Sequence, residues 1–220
     1  MSVAEPARRR LLGGAARSLM LAASGLGMTM PGPMTAASGV LALAAARATD
    51  AHDSVGPVVP ASSAPTVTMI TDGGHRAPLP ALLQQPVTAV QLMFTGCSAV
   101  CPIQGALFAQ LQGELDALPP SSSAASTRLL SISIDPLSDD PAALRGWLAR
   151  FGAGERWSAA APDPAELNRL LAFLKGRIAA NEPHTSQVAL FDRRGRFVWR
   201  TGELPTANTV VRLAEGIARG

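Results

Sequence analysis

The chain of 220 residues contains no Tyr and only two Cys, and its aromatic residues amount to 4%. With so few aromatic side chains, any core must be built mainly from Leu, Val, Ile and Ala, which the 47% hydrophobic content supplies. Two Cys four residues apart, Cys97 and Cys101, would close too small a loop to staple a fold, so a disulfide framework is excluded. A local redox pair or a metal clip is the better reading. Gly-x-Ser-x-Gly is absent, no paired-carboxylate pattern stands out, and there are no internal repeats, so nothing points to a serine or carboxylate hydrolase. A long basic run is also missing. The net charge of +3 comes from residues 1–48, which hold five Arg and one acid, leaving 14 basic and 15 acidic residues in 49–220. Nucleic-acid binding is excluded on that distribution.

What the first 48 residues do contain is an address. Arg8-Arg9-Arg10 precede Leu11-Leu12, a weakly apolar Ala- and Gly-rich stretch follows, and Ala46-Arg47-Ala48 fits a small-x-small cleavage site. This order is that of a secretory signal, and paired arginines before leucines resemble the twin-arginine type. A membrane span needs roughly 20 predominantly apolar residues. Arg17, Pro31 and Pro33 interrupt every such window, which leaves an uncleaved anchor as the lesser alternative. The expected organisation is an export signal over 1–48, a flexible Pro- and Ser-rich linker over 49–65 and one domain over 66–220. The destination is the periplasm, or the periplasmic side of the inner membrane, and contact with the membrane would come only through an N-terminal anchor. The chain is expected to be a monomer. Cleavage after Ala48 and loss of Thr49 would expose Asp50-Ala51-His52, a terminus able to chelate Cu(II).

Within the domain, Thr66 to Thr71 reads as a short strand and Val87 to Phe94 as a buried one. Pro102 suits a helix start, and Ile103, Leu107, Leu111, Leu115 and Leu118 fall on one helical face. Leu129 to Ile134 is the next strand. Asp139 or Asp140 caps a helix with Leu144, Leu148 and Phe151 as its stripe, and Asp163-Pro164 opens another carrying Leu167, Leu170, Leu171 and Leu174. Gln187–Phe191 and Arg196–Arg200 flank the turn signal Asp192-Arg193-Arg194-Gly195, and a last helix from about Thr206 uses Val210, Ala214 and Ile217. The early alternation of strand and helix implies a parallel β-α-β unit, and the terminal hairpin makes the sheet mixed. The expectation is an α/β, thioredoxin-like mixed sheet flanked by helices, with Cys97 at the carboxyl edge of the sheet, where open α/β sheets place their sites.

The chemistry centres on Phe94-Thr95-Gly96-Cys97-Ser98-Ala99-Val100-Cys101-Pro102. Cysteines at i and i+4 share one face of a helical turn, and a helix N-terminus favours thiolate. Thiolates are soft ligands suited to Cu(I), and an added imidazole accommodates Cu(II) as well. Spacing alone leaves the third donor open among His52 in the linker, His75 after a Gly-Gly turn, and His184 after Glu182-Pro183. A structural zinc site is disfavoured, because structural zinc takes four ligands and closes its site.

This segment resembles the signature of the Sco/SenC family. Further landmarks match in order: Ser131-Ile132-Ser133-Ile134-Asp135-Pro136, Asp139-Asp140-Pro141, Arg150-Phe151-Gly152, His184-Thr185-Ser186, and Leu190-Phe191-Asp192-Arg193-Arg194-Gly195-Arg196-Phe197. The resemblance covers roughly residues 66–218. It implies a thioredoxin fold, copper held by Cys97, Cys101 and His184, and a metallochaperone that loads the dinuclear copper centre of cytochrome c oxidase subunit II or another exported copper protein. It implies as an alternative a thiol-disulfide oxidoreductase or redox sensor, with Cys97 and Cys101 as the redox pair. Asp135 is a weaker candidate for shaping the site. Departures from the family pattern are Ser98, where Pro is common, and Asn181-Glu182-Pro183 before His184, where neither an aromatic residue nor Asp immediately precedes the His. A peroxidase reading has only Thr95 two residues before Cys97 in its favour.

Overall fold

The computed structural model describes residues 55–175 and 185–220. His52, His184 and residues 1–48 therefore lie outside the described residues. Eight strands form one sheet: β1 (Gly56–Ser63), β2 (Thr68–Thr71), β3 (Arg76–Pro78), β4 (Val87–Met93), β5 (Arg128–Ser133), β6 (Trp157–Pro162), β7 (Ala189–Asp192) and β8 (Arg196–Arg200). Their order is β1-β8-β7-β4-β5-β6-β2-β3. β4, β5 and β6 are parallel, and the remaining pairings are antiparallel, so the sheet is mixed as expected.

Among the described residues five α-helices cover it: α1 (Leu79–Leu83), α2 (Val100–Asp116), α3 (Pro141–Arg150), α4 (Leu167–Lys175) and α5 (Ala207–Arg219). Alternation along the strands sorts the core into two layers. Val87, Ala89 and Met93 of β4 face Phe108, Leu111 and Leu115 of α2, Leu144 and Trp147 of α3, and Val210 and Ala214 of α5. Val90 and Leu92 face the other way, against Leu79 and Leu83 of α1 and Leu170, Leu171 and Leu174 of α4. Every residue of β4 is buried, as a central strand covered on both faces must be. Its one amide, Gln91, donates to Ser131 Oγ at 2.8 Å, and Trp157 Nε1 donates to the same oxygen at 2.8 Å, which ties β4, β5 and β6 through one hydroxyl.

Local signals account for most element ends. Asp140 caps α3 by accepting from the Ala143 N–H at 2.8 Å, with Pro141 in the first turn. Thr206 caps α5 through Thr209. In the β7–β8 turn Asp192 accepts from the N–H groups of Arg194 and Arg196 and pairs with the Arg196 guanidinium at 2.6 Å, while Gly195 takes φ 67°, which a residue without Cβ adopts freely.

Three expectations need correction. Residues 49–65 are not a linker throughout: Gly56–Ser63 forms the edge strand β1, paired antiparallel to β8. Strand β6, Trp-Ser-Ala-Ala-Ala-Pro, and the short helix α1 went unanticipated; β6 has few β-branched residues and is set by its neighbours β5 and β2. The buried stripe of α2 is Cys101, Gln104, Gly105, Phe108, Leu111 and Leu115, rotated from the face predicted; Ile103 is 55% exposed. The rotation follows from close packing at Gly105, where a Cβ would lie 2.4 Å from the Phe151 ring.

Candidate metal centre

Parallel pairing of Met93 with Ser133 brings two loops together at the carboxyl ends of β4 and β5. The first, residues 94–99, carries Cys97 and leads into α2; the second, residues 134–140, leads into α3. The first loop turns tightly, with the Cys97 N–H donating to the Phe94 carbonyl at 3.2 Å. Ala99 precedes α2 and provides no side-chain cap, so the first-turn N–H groups are left facing the thiols. Both cysteines are free thiols and both are buried, Cys97 at 7% exposure and Cys101 at 1%.

The two sulfurs differ in acidity. Burial pushes the Cys97 thiol up, but hydrogen bonds from the Cys101 thiol and from the backbone N–H groups of Cys101, Ala99 and Val100 outweigh it, and its pKa lies below the usual thiol value. The Cys101 thiol is pushed up to about 12, by burial first and then by donating its proton to Cys97. One thiol is thus the readier of the two to lose its proton and its neighbour the more reluctant, a pair suited to soft-metal capture or to attack followed by resolution.

A buried carboxylate holds the cysteine loop in place. Asp139, 3% exposed, accepts from the Thr95 N–H at 3.0 Å, Thr95 Oγ1 at 2.5 Å and Ser133 Oγ at 2.6 Å. Asp135 does something else. Its N–H donates to Ser133 Oγ at 3.0 Å and its carbonyl accepts from the Asp139 N–H at 2.9 Å, so it shapes the loop through its backbone. The sequence reading took Asp139 only as a possible helix cap. The cap is Asp140, and a three-residue turn, 136–138, returns Asp139 to the sheet.

His184 lies outside the described residues, but its chain neighbour is anchored. Gln104, one turn beyond Cys101 on α2, donates to the Thr185 carbonyl at 2.9 Å, and Glu203 accepts from the Ser186 N–H at 2.7 Å and from the Ser186 hydroxyl. Neither Gln104 nor Glu203 was legible as a site residue, since each acts across more than 15 positions of sequence. The structure does not bring His75 to the cysteines: it sits exposed in the β2–β3 turn, which points toward the amino end of β6. Among the described residues no group of three or more His, Cys, Asp or Glu could hold a metal, so these residues alone supply two sulfur donors.

A thioredoxin-like sheet with two unequal thiols at the end of its central strand and the start of a helix defines a class of thiol-based redox or soft-metal proteins. The family model for SCO1/SenC matches residues 80–219, and the chain belongs to this family. Among solved structures it is similar to a SCO1/SenC family lipoprotein from Bacillus anthracis, with a TM-score of 0.59 and 21% identity over 74% of this chain and 97% of that one. BsSco, described as a member of the Sco family of cytochrome c oxidase assembly proteins with a disulfide switch, gives 0.60 and 19% over 73% and 95%. Yeast Sco1 with copper bound gives 0.58 and 17% over 72% and 90%. No curated protein matches. No helix among the described residues is long and apolar enough to cross a membrane.

Proposed function

We propose that this protein binds copper through Cys97, Cys101 and His184 and delivers it to the dinuclear copper centre of cytochrome c oxidase subunit II. The observation that carries the reading is the pair of free cysteines at the helix start, where Cys97 is the more acidic thiol and Cys101 can follow once a metal displaces its proton. Copper bound to yeast Sco1 and the assembly role given to BsSco's family support it. So does the fixed position of Thr185, one peptide from His184 and hydrogen-bonded to the helix that carries Cys101. Residues 1–48 direct the chain for export, and the domain works on the periplasmic side.

The inequality of the two thiols favours one second reading, a thiol-disulfide oxidoreductase in which Cys97 attacks and Cys101 resolves. Titration of the reduced protein with Cu(I) against a calibrated competitor, beside His184→Ala, separates the two. One tight equivalent that the variant loses or holds far more weakly upholds copper delivery. Binding indifferent to His184 sinks the three-ligand site and leaves the thiol exchange reading.

A further inference from the structure

Four described segments meet at the cysteine end of the sheet: residues 94–103, 134–140, 185–188 and 201–206. The Asp139–Thr95 and Glu203–Ser186 hydrogen bonds join them in pairs, and Gln104, next to Ile103 on α2, links the pairs by donating to the Thr185 carbonyl. At their surface the four segments carry Asp135, Asp140 and Glu203 and not one Lys or Arg, Asp139 being buried against Thr95 and Ser133. The same segments carry exposed aliphatic side chains: Ile103 at 55%, Leu137 at 84% and Leu204 at 45%. Among the described residues only two other large hydrophobic side chains are exposed, Val55 and Val59. Leu204 is held at φ 43°, a left-handed conformation costly for a side chain of its size, by donating its N–H to the carbonyl and hydroxyl of Ser186. The opposite end has another character: the β7–β8 turn and the end of α5 present Arg193, Arg194 and Arg219 to solvent.

Single exposed aliphatics are ordinary, but three set around a recessed reactive pair mark a contact surface. We propose that this end is the docking face for the copper-accepting protein, and that the acceptor presents an apolar patch bordered by Lys or Arg. The inference rests on the delivery reading above and adds to it the chemistry of the partner's surface. A second copy of this chain does not fit, because Asp135, Asp140 and Glu203 would meet their own copies with no exposed cation among the described residues of these segments to compensate. With a basic acceptor those acids speed encounter, and Ile103, Leu137 and Leu204 exclude water around the sulfurs while copper passes.

The test loads the full chain with Cu(I), mixes it with the copper-free soluble domain of oxidase subunit II, and follows transfer in time. The double variant Ile103→Ser/Leu137→Ser alters exposed side chains that are not ligands, so its Cu(I) affinity should equal that of the parent. Its transfer rate should fall roughly tenfold or more, in line with loss of apolar contacts at an interface centre, and added salt should slow the parent. Transfer at the parent rate by the double variant overturns the docking face. Faster parent transfer at high salt overturns the charge assignment. Sedimentation of the acceptor-free parent as a dimer that the double variant loses assigns the face to self-association and overturns the proposal. A parent that binds copper tightly yet passes none to the acceptor overturns the delivery reading itself, and the partner assignment with it.

Discussion

The two ends of the central sheet use charge in opposite ways. At the carboxyl ends of β4 and β5, Asp139 is buried and accepts three hydrogen bonds from Thr95 and Ser133, so that one carboxylate fixes the cysteine loop to the neighbouring strand. At the amino ends, arginines work at the surface. Arg156 pairs with Asp116 at 2.6 Å and also donates to the carbonyls of Ala125 and Thr127, and Arg196 pairs with Asp192 at 2.6 Å. The difference shows where precision is required. A buried charge that lost its partners would be costly, so it enforces one arrangement of the loop beside the thiols. The Arg156–Asp116 pair, whose carboxylate is more than half exposed, is screened by water and tolerates variation.

That contrast can be sharpened by substitution, beginning with the ligands. Cys97→Ser or Cys101→Ser should weaken Cu(I) binding by more than the roughly 10- to 100-fold that loss of a supporting residue costs. Competitor titration measures it, and a serine variant that binds as the parent does would remove that cysteine from the site. Asp139→Ala strands three donors near the sheet's carboxyl end and should cost about 3 kcal/mol in urea unfolding. A loss below about 1 kcal/mol would erase the distinction drawn between the two ends. Gly105→Ala pushes a methyl group into Phe151 and should cost about 2 kcal/mol in the same assay.

The pH dependence of copper binding has a definite sign. Cys101 keeps its proton until about pH 12 and must surrender it to the metal, so protons compete with Cu(I). Apparent affinity should rise about tenfold, or 1.4 kcal/mol, per pH unit where Cys97 is already ionised, and more steeply below its lowered pKa. A flat profile between pH 6 and 9, roughly the accessible range, would mean that Cys101 is not displaced as a thiol. The smallest effect belongs to the far end. Asp116→Asn should change stability by no more than about 0.5 kcal/mol, because the pair is half in water and Arg156 keeps its two carbonyl partners.

Much of this molecule was legible before any coordinates. Val87–Met93 announced itself as a strand buried on both faces because it is apolar without alternation, and the hairpin turn was written in Asp192 to Gly195. The cysteine pair could be placed at a strand end because Pro102 and the apolar periodicity after it set a helix there. The stripe of α2 was misjudged for a physical reason: periodicity counts Leu and Ile, whereas the helix was rotated by a glycine that admits Phe151 and by a cysteine and a glutamine buried for the site. Strand β1 hid in a Pro- and Ser-rich stretch, since its hydrogen bonds are made to β8, about 140 residues away.

By itself the sequence determined the family, the thioredoxin-like plan and the identity of the two thiols, because these depend on local residue types at fixed spacing. The tertiary structure alone decided which acid supports the cysteine loop, how unequal the two sulfurs are, and that Gln104 and Glu203 grip the chain beside Thr185 and Ser186. Each of these is a matter of burial and of contacts between distant segments, which only the folded sheet brings within hydrogen-bonding distance.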